Sequence, residues 1–258
     1  YLYWKENMFK KIEGMYSFLI FNKNNNNLFF ARDKFGQKPL YYYKDTNQII
    51  FCSEIKPIIL LLKKKEIKFE KREIYKYLNQ NYYGDEKYTF FKHIYQVPLG
   101  SCGTFINNSL KIRNIKINKF HSYNKKNIEK AIKISLKLIQ ESDVEKAILY
   151  SNGADSKSIY EFSKKLNKKI KLIHVSFNRR TIKKVFSPKE KNLKKICFVE
   201  HKDFVKLFNK SIFVNEAPIL SLFSLAYMKL FELVKKNNIK VVISGQGADE
   251  MFGGYEIF

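Results

Sequence analysis

The chain has 258 residues, 45% of them hydrophobic, which is enough for one large or two ordinary domains with real cores. No apolar run approaches the roughly 18 residues of a membrane span, and three scattered cysteines (Cys52, Cys102, Cys197) fit neither a disulfide framework nor a zinc site, in keeping with a reducing, cytoplasmic setting. The net charge of +25 comes from lysines spread through every segment among many Asn and Ile, the residue usage of AT-rich coding sequence, and no nucleic-acid motif accompanies it.

Residues 1 to about 120 are β-rich. Residues 15–21 and 27–32 form two strand patterns around an Asn-rich turn at 24–27, a hairpin signal. A further strand is expected at 48–54. Between these lies Ala31-Arg32-Asp33-Lys34-Phe35-Gly36-Gln37-Lys38-Pro39-Leu40-Tyr41. Cys52 and Cys102 sit inside strand patterns and are expected in the core. Residues 106–125 are polar and turn-rich and make the best domain boundary, with His121 a linker residue rather than a ligand.

From 124 the pattern changes. Ile128, Ala131, Ile132, Ile134, Leu136 and Ile139 have amphipathic helical spacing, with Asn124 or Asn127 as cap. Then follow a strand at 146–150, a helix at 157–166, a strand at 170–177, a helix at about 190–197 or 202–209, a helix at 221–236 and a strand at 240–244. Alternating strands and helices imply a parallel sheet covered on both faces. Ligands on such sheets bind beyond the carboxyl ends of the strands.

Two stretches occupy such ends. Ile148-Leu149-Tyr150-Ser151-Asn152-Gly153-Ala154-Asp155-Ser156 is a strand, a tight polar turn and a helix start, an arrangement that aims backbone N–H groups at one spot and suits a phosphate. It is not a Walker loop. Roughly ninety residues on, Ser244-Gly245-Gln246-Gly247-Ala248-Asp249-Glu250-Met251-Phe252-Gly253-Gly254-Tyr255 follows a strand with glycines for close backbone approach and carboxylates for a metal.

The first stretch resembles the pyrophosphate loop Ser-Gly-Gly-x-Asp-Ser of the ATP pyrophosphatases. The second resembles the Ser-Gly-Glu-Gly-Ala-Asp-Glu-Leu-Phe-Gly-Gly-Tyr signature of glutamine-dependent asparagine synthetases. Residues 13–18, 31–41, 51–57 and 96–100 resemble, in the same order, segments of that family's N-terminal glutaminase domain. The resemblance implies the C-terminal part of a type 2 glutamine amidotransferase domain over 1–120, antiparallel and β-rich. It implies a parallel-sheet α/β ATP-pyrophosphatase domain over 121–258, the whole being a piece of a longer enzyme. The family's N-terminal cysteine nucleophile has no counterpart here, so this chain by itself is expected not to hydrolyse glutamine.

The resemblance further implies a ligase: aspartate attacks the α-phosphate of MgATP, pyrophosphate leaves, and ammonia converts the acyl-adenylate to asparagine and AMP. The cofactors are then ATP and Mg²⁺. Ser151, Asn152, Gly153, Asp155 and Ser156 would hold phosphates. Leu149, Val175, Ser244 and Gly245 would border adenine and ribose. Asp155 and Asp249 would hold the metal, and Gln246, Asp155 and Asp249 would carry the chemistry. Glu216-Ala217-Pro218 resembles an Asp-Glu-Pro of the family. Small-molecule substrates are the expected partners, without nucleic acid or membrane, and a homodimer is an open option. Two positions depart from the pattern: Asn152 stands at the first loop glycine, and Gln246 at the Glu of Ser-Gly-Glu-Gly. Residues 178–200 are basic and shorter than the family pattern. Amidation of another carboxylate, or nucleotide binding without efficient catalysis, are the alternatives.

Overall fold

The structure, a computed structural model, describes residues 3–4, 8–9, 11–62, 67–82, 87–115, 124–166, 170–176 and 194–254. His121, residues 178–193 and Tyr255 lie outside the described residues. The chain divides into two compact units, Tyr1–Lys119 and Phe120–Phe258.

The first unit contains β1 (Ser17–Asn22), β2 (Asn27–Arg32), β3 (Tyr41–Lys44), β4 (Ile49–Cys52), α1 (Ile55–Leu61), α2 (Lys71–Gln80), β5 (Ile94–Gln96), β6 (Ser101–Ile106) and β7 (Ser109–Asn114). Its strands form two antiparallel sheets, ordered β1-β2-β6-β7 and β4-β3-β5. Strand alternation sets the layers. Phe29 and Ala31 of β2 pack with Met8 and Cys102 on one face, while Phe30 between them packs with Leu40, Tyr42 and Val97. Tyr43 points the other way from Tyr42 and joins Ile55 and Ile58 of α1. The Phe30 and Phe51 rings, 4.9 Å between centroids, tie the two sheets together.

The Ala31–Tyr41 motif is explained here as architecture. Asp33 is buried and accepts backbone N–H bonds from Phe35 (3.1 Å), Gln37 (3.0 Å) and Lys38 (3.0 Å). Arg32, also buried, donates to the carbonyls of Lys38 (2.9 Å), Gly36 (2.8 Å) and Val97 (2.7 Å). Burial pushes the Arg32 guanidinium below its ordinary pKa, partly offset by Tyr41 and Asp33. The loop after β2 is therefore folded around an adjacent cation and anion.

One expectation is corrected in this unit. Part of the polar stretch 106–125 is strand β7, which pairs along its length with β6 after a turn at Asn107 and Asn108 (φ 47° and 61°). Leu110 and Ile112 are the alternating residues that pack inward. The helices α1 and α2 are additions to an otherwise β-rich reading.

The second unit runs α3 (Lys125–Gln140), β8 (Lys146–Leu149), α4 (Ala154–Leu166), β9 (Lys171–Ser176), β10 (Lys194–Phe198), a 3-10 turn (His201–Asp203), α5 (Phe204–Asn215), α6 (Phe223–Lys236), β11 (Val241–Ile243) and α7 (Ala248–Phe252). Asn124 caps α3, its side chain accepting from the N–H of Asn127 at 2.9 Å. The four strands are parallel in the order β10-β9-β8-β11. Both faces are covered. Ile148, Leu172 and Ile243 pack with Leu136 of α3 and Tyr160 of α4, while Ala147 and Ile173 pack with Leu230 and Val234 of α6.

A second correction concerns 190–197. Residues 194–198 are not helix but β10, paired with β9; the helix of this region is α5. Helix α4 also starts at Ala154 rather than at 157, because the carbonyl of Gly153 already accepts the N–H of Lys157 at 3.0 Å.

Candidate active site

The order β10-β9-β8-β11 has one switch point. The chain leaves β8 towards β9 and later returns to β8's other side as β11. Crevices at the carboxyl ends of such neighbouring strands are where open α/β sheets take ligands. The two turns in question leave those ends of β8 and β11, and both line one cavity of about 570 Å³.

The β8 turn is held by its own side chains. Ser156 Oγ donates to the Gly153 carbonyl (3.2 Å), lies 3.2 Å from Ser151 Oγ and accepts from the Ser151 N–H (3.3 Å). Ser151 Oγ accepts from the Gly153 N–H at 3.3 Å. Asn152 has φ 69°, in the left-handed region that Asn tolerates better than most residues. Its side-chain oxygen accepts from the buried Tyr150 hydroxyl at 3.2 Å. Beyond it, α4 begins, and its first-turn N–H groups have no partner within the helix.

The β11 turn is fitted against the first. A Cβ on Gly245 would lie 2.7 Å from Asp155 Cβ, so only glycine allows this approach. Gly247, at φ 93°, starts α7, which carries Asp249 in its first turn. Gln246 donates its N–H to Ser244 Oγ (3.3 Å), and its side-chain oxygen faces the Tyr227 hydroxyl of α6 at 3.5 Å.

Leu149, Ser151, Gly153, Asp155, Ser156, Val175, Ser244, Gly245, Gln246 and Asp249 all line this cavity. Asn152 is not among its lining residues; it shapes the turn from behind. Glu216 is the left-handed cap of α5 (φ 57°) and is likewise not part of the lining. Sequence reasoning missed His174, Tyr227 and Glu250, which also line the cavity. His174 sits within an apolar strand pattern, and a polar residue at a buried strand position was its only signal. Its Nδ1 is 2.8 Å from the Tyr150 carbonyl; a carbonyl only accepts, so Nδ1 carries the proton. Burial lowers the His174 pKa, and the bond to Tyr150 opposes the shift.

The lining carries Ile173, Val175, Ala226 and Leu230 as apolar surface, and three carboxylates, Asp155, Asp249 and Glu250. Among the described lining residues there is no Lys or Arg. A polyphosphate would meet a negative wall there, and a divalent cation would relieve it. The donor set suits Mg²⁺, which takes one or two carboxylates and fills its shell with phosphate oxygens and water. Among the described residues no group of three or more His, Cys, Asp or Glu is placed to hold a metal unaided. Asp155 and Asp249 are the two carboxylates that the two turns contribute.

A parallel α/β unit with two strand-end turns closing one acidic, partly apolar cavity at the switch point defines the class of α/β domains that bind ligand there. Residues 127–258 match the asparagine synthase family, and residues 1–116 match the glutamine amidotransferase domain family. The chain belongs to the asparagine synthase family. It is 30% identical to asparagine synthetase (glutamine-hydrolyzing) 1 of Bacillus subtilis, across 100% of this chain and 42% of that protein. It is 28% identical to putative asparagine synthetase (glutamine-hydrolyzing) 2 of Methanocaldococcus jannaschii, across 95% of this chain and 50% of that protein. It is also 23% identical to amidase chry2 of Gibberella zeae, across 96% of this chain and 40% of that protein. The chain thus spans about half the length of the curated relatives it matches.

Proposed function

We propose that the chain is part of an ATP-dependent, glutamine-dependent asparagine synthetase, with 121–258 as its synthetase domain and 1–120 belonging to its amidotransferase domain. The observation that carries this is the pair of turns, 151–156 and 244–249, lining one cavity at the switch point, each with a carboxylate. ATP is the nucleotide. Its base and ribose take the side of the cavity formed by Leu149, Val175, Ser244 and Gly245, and its phosphates take the 151–156 turn and the start of α4. Bound Mg²⁺, held by Asp155 and Asp249, would neutralise phosphate charge.

The acceptor carboxylate of aspartate then attacks the α-phosphorus, the bond to pyrophosphate breaks, and an acyl-adenylate results. Backbone N–H groups of the turn donate to the phosphate oxygens as charge develops on them. Ammonia, supplied from glutamine in the full-length enzyme, attacks the acyl carbon and AMP leaves. Asp155 and Asp249 line the same cavity and would serve both steps. Cys52, Cys102 and Cys197, none of them in a disulfide, and the small-molecule chemistry support a cytoplasmic setting. Among the described residues no helix is long and apolar enough to cross a membrane.

Amidation of a different carboxylate is the second reading, and Gln246 favours it. A neutral amide cannot take a proton at pH 7, so the chemistry beside the acyl group differs from that of a glutamate. The test of both is AMP release by the full-length protein with MgATP, ammonia and L-aspartate, against a control without aspartate. Aspartate-dependent AMP together with asparagine supports the first reading. Nucleotide binding without aspartate-dependent AMP rejects it and directs the search to other carboxylates.

A further inference from the structure

Asp155 and Asp249 are each backed by a glycine of the chain that leaves β11. Gly245 lies against Asp155, and Gly254 lies against Asp249 from the far end of α7. The N–H groups of Gly253 and Gly254 both donate to the Asp249 carbonyl, the latter at 3.0 Å, so the chain closes back on Asp249 as soon as the short helix ends. Gly253 makes that reversal in the left-handed region, at φ 66°. Gly254 then rests on the Asp249 side chain: a Cβ at 254 would overlap Oδ1 and stand 3.0 Å from Cγ and 3.2 Å from Cα. Among the described residues the Asp249 carboxylate makes no hydrogen bond or ion pair, so contact with Gly254 is what limits where it sits. A methyl group would act differently at the two glycines. At 253 it would meet nothing within 4 Å but would be strained by the positive φ. At 254 the φ is not positive, and the first atom in the way is the outer end of a rotatable side chain, so the carboxylate yields before the backbone.

We infer that Gly254 is a positioning residue of this cavity: it holds the Asp249 carboxylate in place at the wall and, with Gly245 behind Asp155, fixes the spacing of the two carboxylates to suit a small divalent cation. This rests on the reading of Asp155 and Asp249 as ligands of nucleotide-bound Mg²⁺. Mg²⁺ takes oxygen ligands at about 2.0–2.1 Å in near-ideal octahedral geometry, whereas Ca²⁺ accepts about 2.3–2.6 Å in irregular shells. A displaced carboxylate is therefore costly for Mg²⁺ and tolerable for Ca²⁺. The missing side chain at 254 then decides which ion the cavity prefers, and not only how the turn folds.

The test compares the full-length protein with its Gly254→Ala and Gly253→Ala variants. The non-hydrolysable nucleotide AMP-PNP is titrated calorimetrically into each protein under three conditions: with Mg²⁺, with Ca²⁺, and with EDTA and no divalent cation. Melting temperatures are measured on the same samples. Gly253→Ala is the control for the turn, because it strains the same reversal without adding an atom near the carboxylate.

Gly254→Ala is expected to weaken binding with Mg²⁺ about tenfold, the usual scale for a residue that orients a metal ligand, and to weaken binding with Ca²⁺ by about twofold or less. Binding in EDTA should match the wild type, since no ion then depends on Asp249. Its melting temperature should stay near that of the wild type, while Gly253→Ala melts lower and keeps the wild-type ratio of Mg²⁺ to Ca²⁺ affinity. A loss of equal size in all three conditions marks a structural role only and overturns the inference. So does an equal change of the ion ratio in both variants, which would trace it to the turn rather than to the contact at 254. Melting of Gly254→Ala well below Gly253→Ala would show that the backbone yields instead of the carboxylate, and also overturns it. All three outcomes leave the metal reading intact. A wild-type protein that binds AMP-PNP equally well with and without Mg²⁺ rejects the metal reading and this inference with it.

Discussion

Gly245 and Asp155, from turns at the ends of neighbouring strands, approach so closely that a Cβ on Gly245 would stand 2.7 Å from Asp155 Cβ. Real Cβ atoms do not come so near, so any larger residue at 245 must push the first turn of α4 away. Because Asp155 and Ser156 ride on that turn, the displacement is felt where the phosphates and the cation are proposed to sit. Gly245→Ala is expected to cost about 1–3 kcal/mol of stability through overpacking. It should also weaken Mg·AMP-PNP binding by more than a comparable surface substitution does. Thermal unfolding and calorimetric titration measure the two effects on one sample, and unchanged nucleotide affinity would refute the coupling.

Asn152 answers the question its presence raises. Its φ of 69° is the conformation for which a glycine would be the ordinary choice, and the Tyr150 hydroxyl on its side chain (3.2 Å) supplies what a glycine lacks. Asn152→Gly is therefore expected to be near neutral in stability, since relief of the left-handed backbone strain offsets the lost bond to Tyr150 and the greater unfolded-state freedom of glycine. Asn152→Ala keeps the Cβ, loses the bond, and should cost about 1–2 kcal/mol. Chemical denaturation of the pair decides this: equal losses for Gly and Ala would mean that the left-handed geometry contributes nothing.

The positions of the two turns, the covering of the sheet on both faces and most of the site were legible in the sequence because strand-end glycines and alternating periodicities are local signals. Other features are set by tertiary context. The apolar run Ile55–Leu61 continues directly from a strand pattern, and periodicity alone does not separate a short buried helix from a strand; here Ile55 and Ile58 pack on Tyr43, one helical turn apart. Strand β10 has only Ile196, Cys197 and Phe198 as apolar residues, too few to set a period, and its identity comes from pairing with β9. Tyr227 lines the cavity because α6 packs on the sheet beside it through Leu230 and Val234, a tertiary placement that no spacing in the sequence encodes.

His174 makes the stability of the second unit pH-dependent. Burial disfavours its charged form, so its folded pKa lies below the ordinary value, with the bond to Tyr150 only partly compensating. The unfolded chain then binds a proton more readily than the folded one. The contribution of neutral His174 is fully present above its unfolded pKa of about 6.5 and is lost as pH falls from there towards the folded pKa. His174→Asn keeps a side-chain N–H donor for the Tyr150 carbonyl and removes the titration. The melting temperature of the wild type should fall more steeply than that of the variant between about pH 7 and about pH 5. Parallel profiles would show that His174 does not titrate in this window.

Asp33 is the test of the architectural reading of the motif after β2. It is 1% exposed, and three backbone N–H groups, of Phe35, Gln37 and Lys38, converge on its two oxygens while Arg32 beside it gathers three carbonyls. Removing the carboxylate leaves those donors without their acceptor and leaves a buried guanidinium without the adjacent anion. Asp33→Ala is expected to destabilise the first unit by about 3 kcal/mol or more. Asp33→Asn retains one acceptor oxygen, for either the Phe35 and Gln37 pair or Lys38, and should cost about half as much. Arg32→Lys replaces a planar fork serving three carbonyls with a single ammonium and should fall between them. The single tryptophan, Trp4, lies in this unit and gives its denaturation a fluorescence signal. If Asp33→Ala unfolds at the wild-type urea concentration, the loop does not depend on this carboxylate and the motif's occurrence needs another cause.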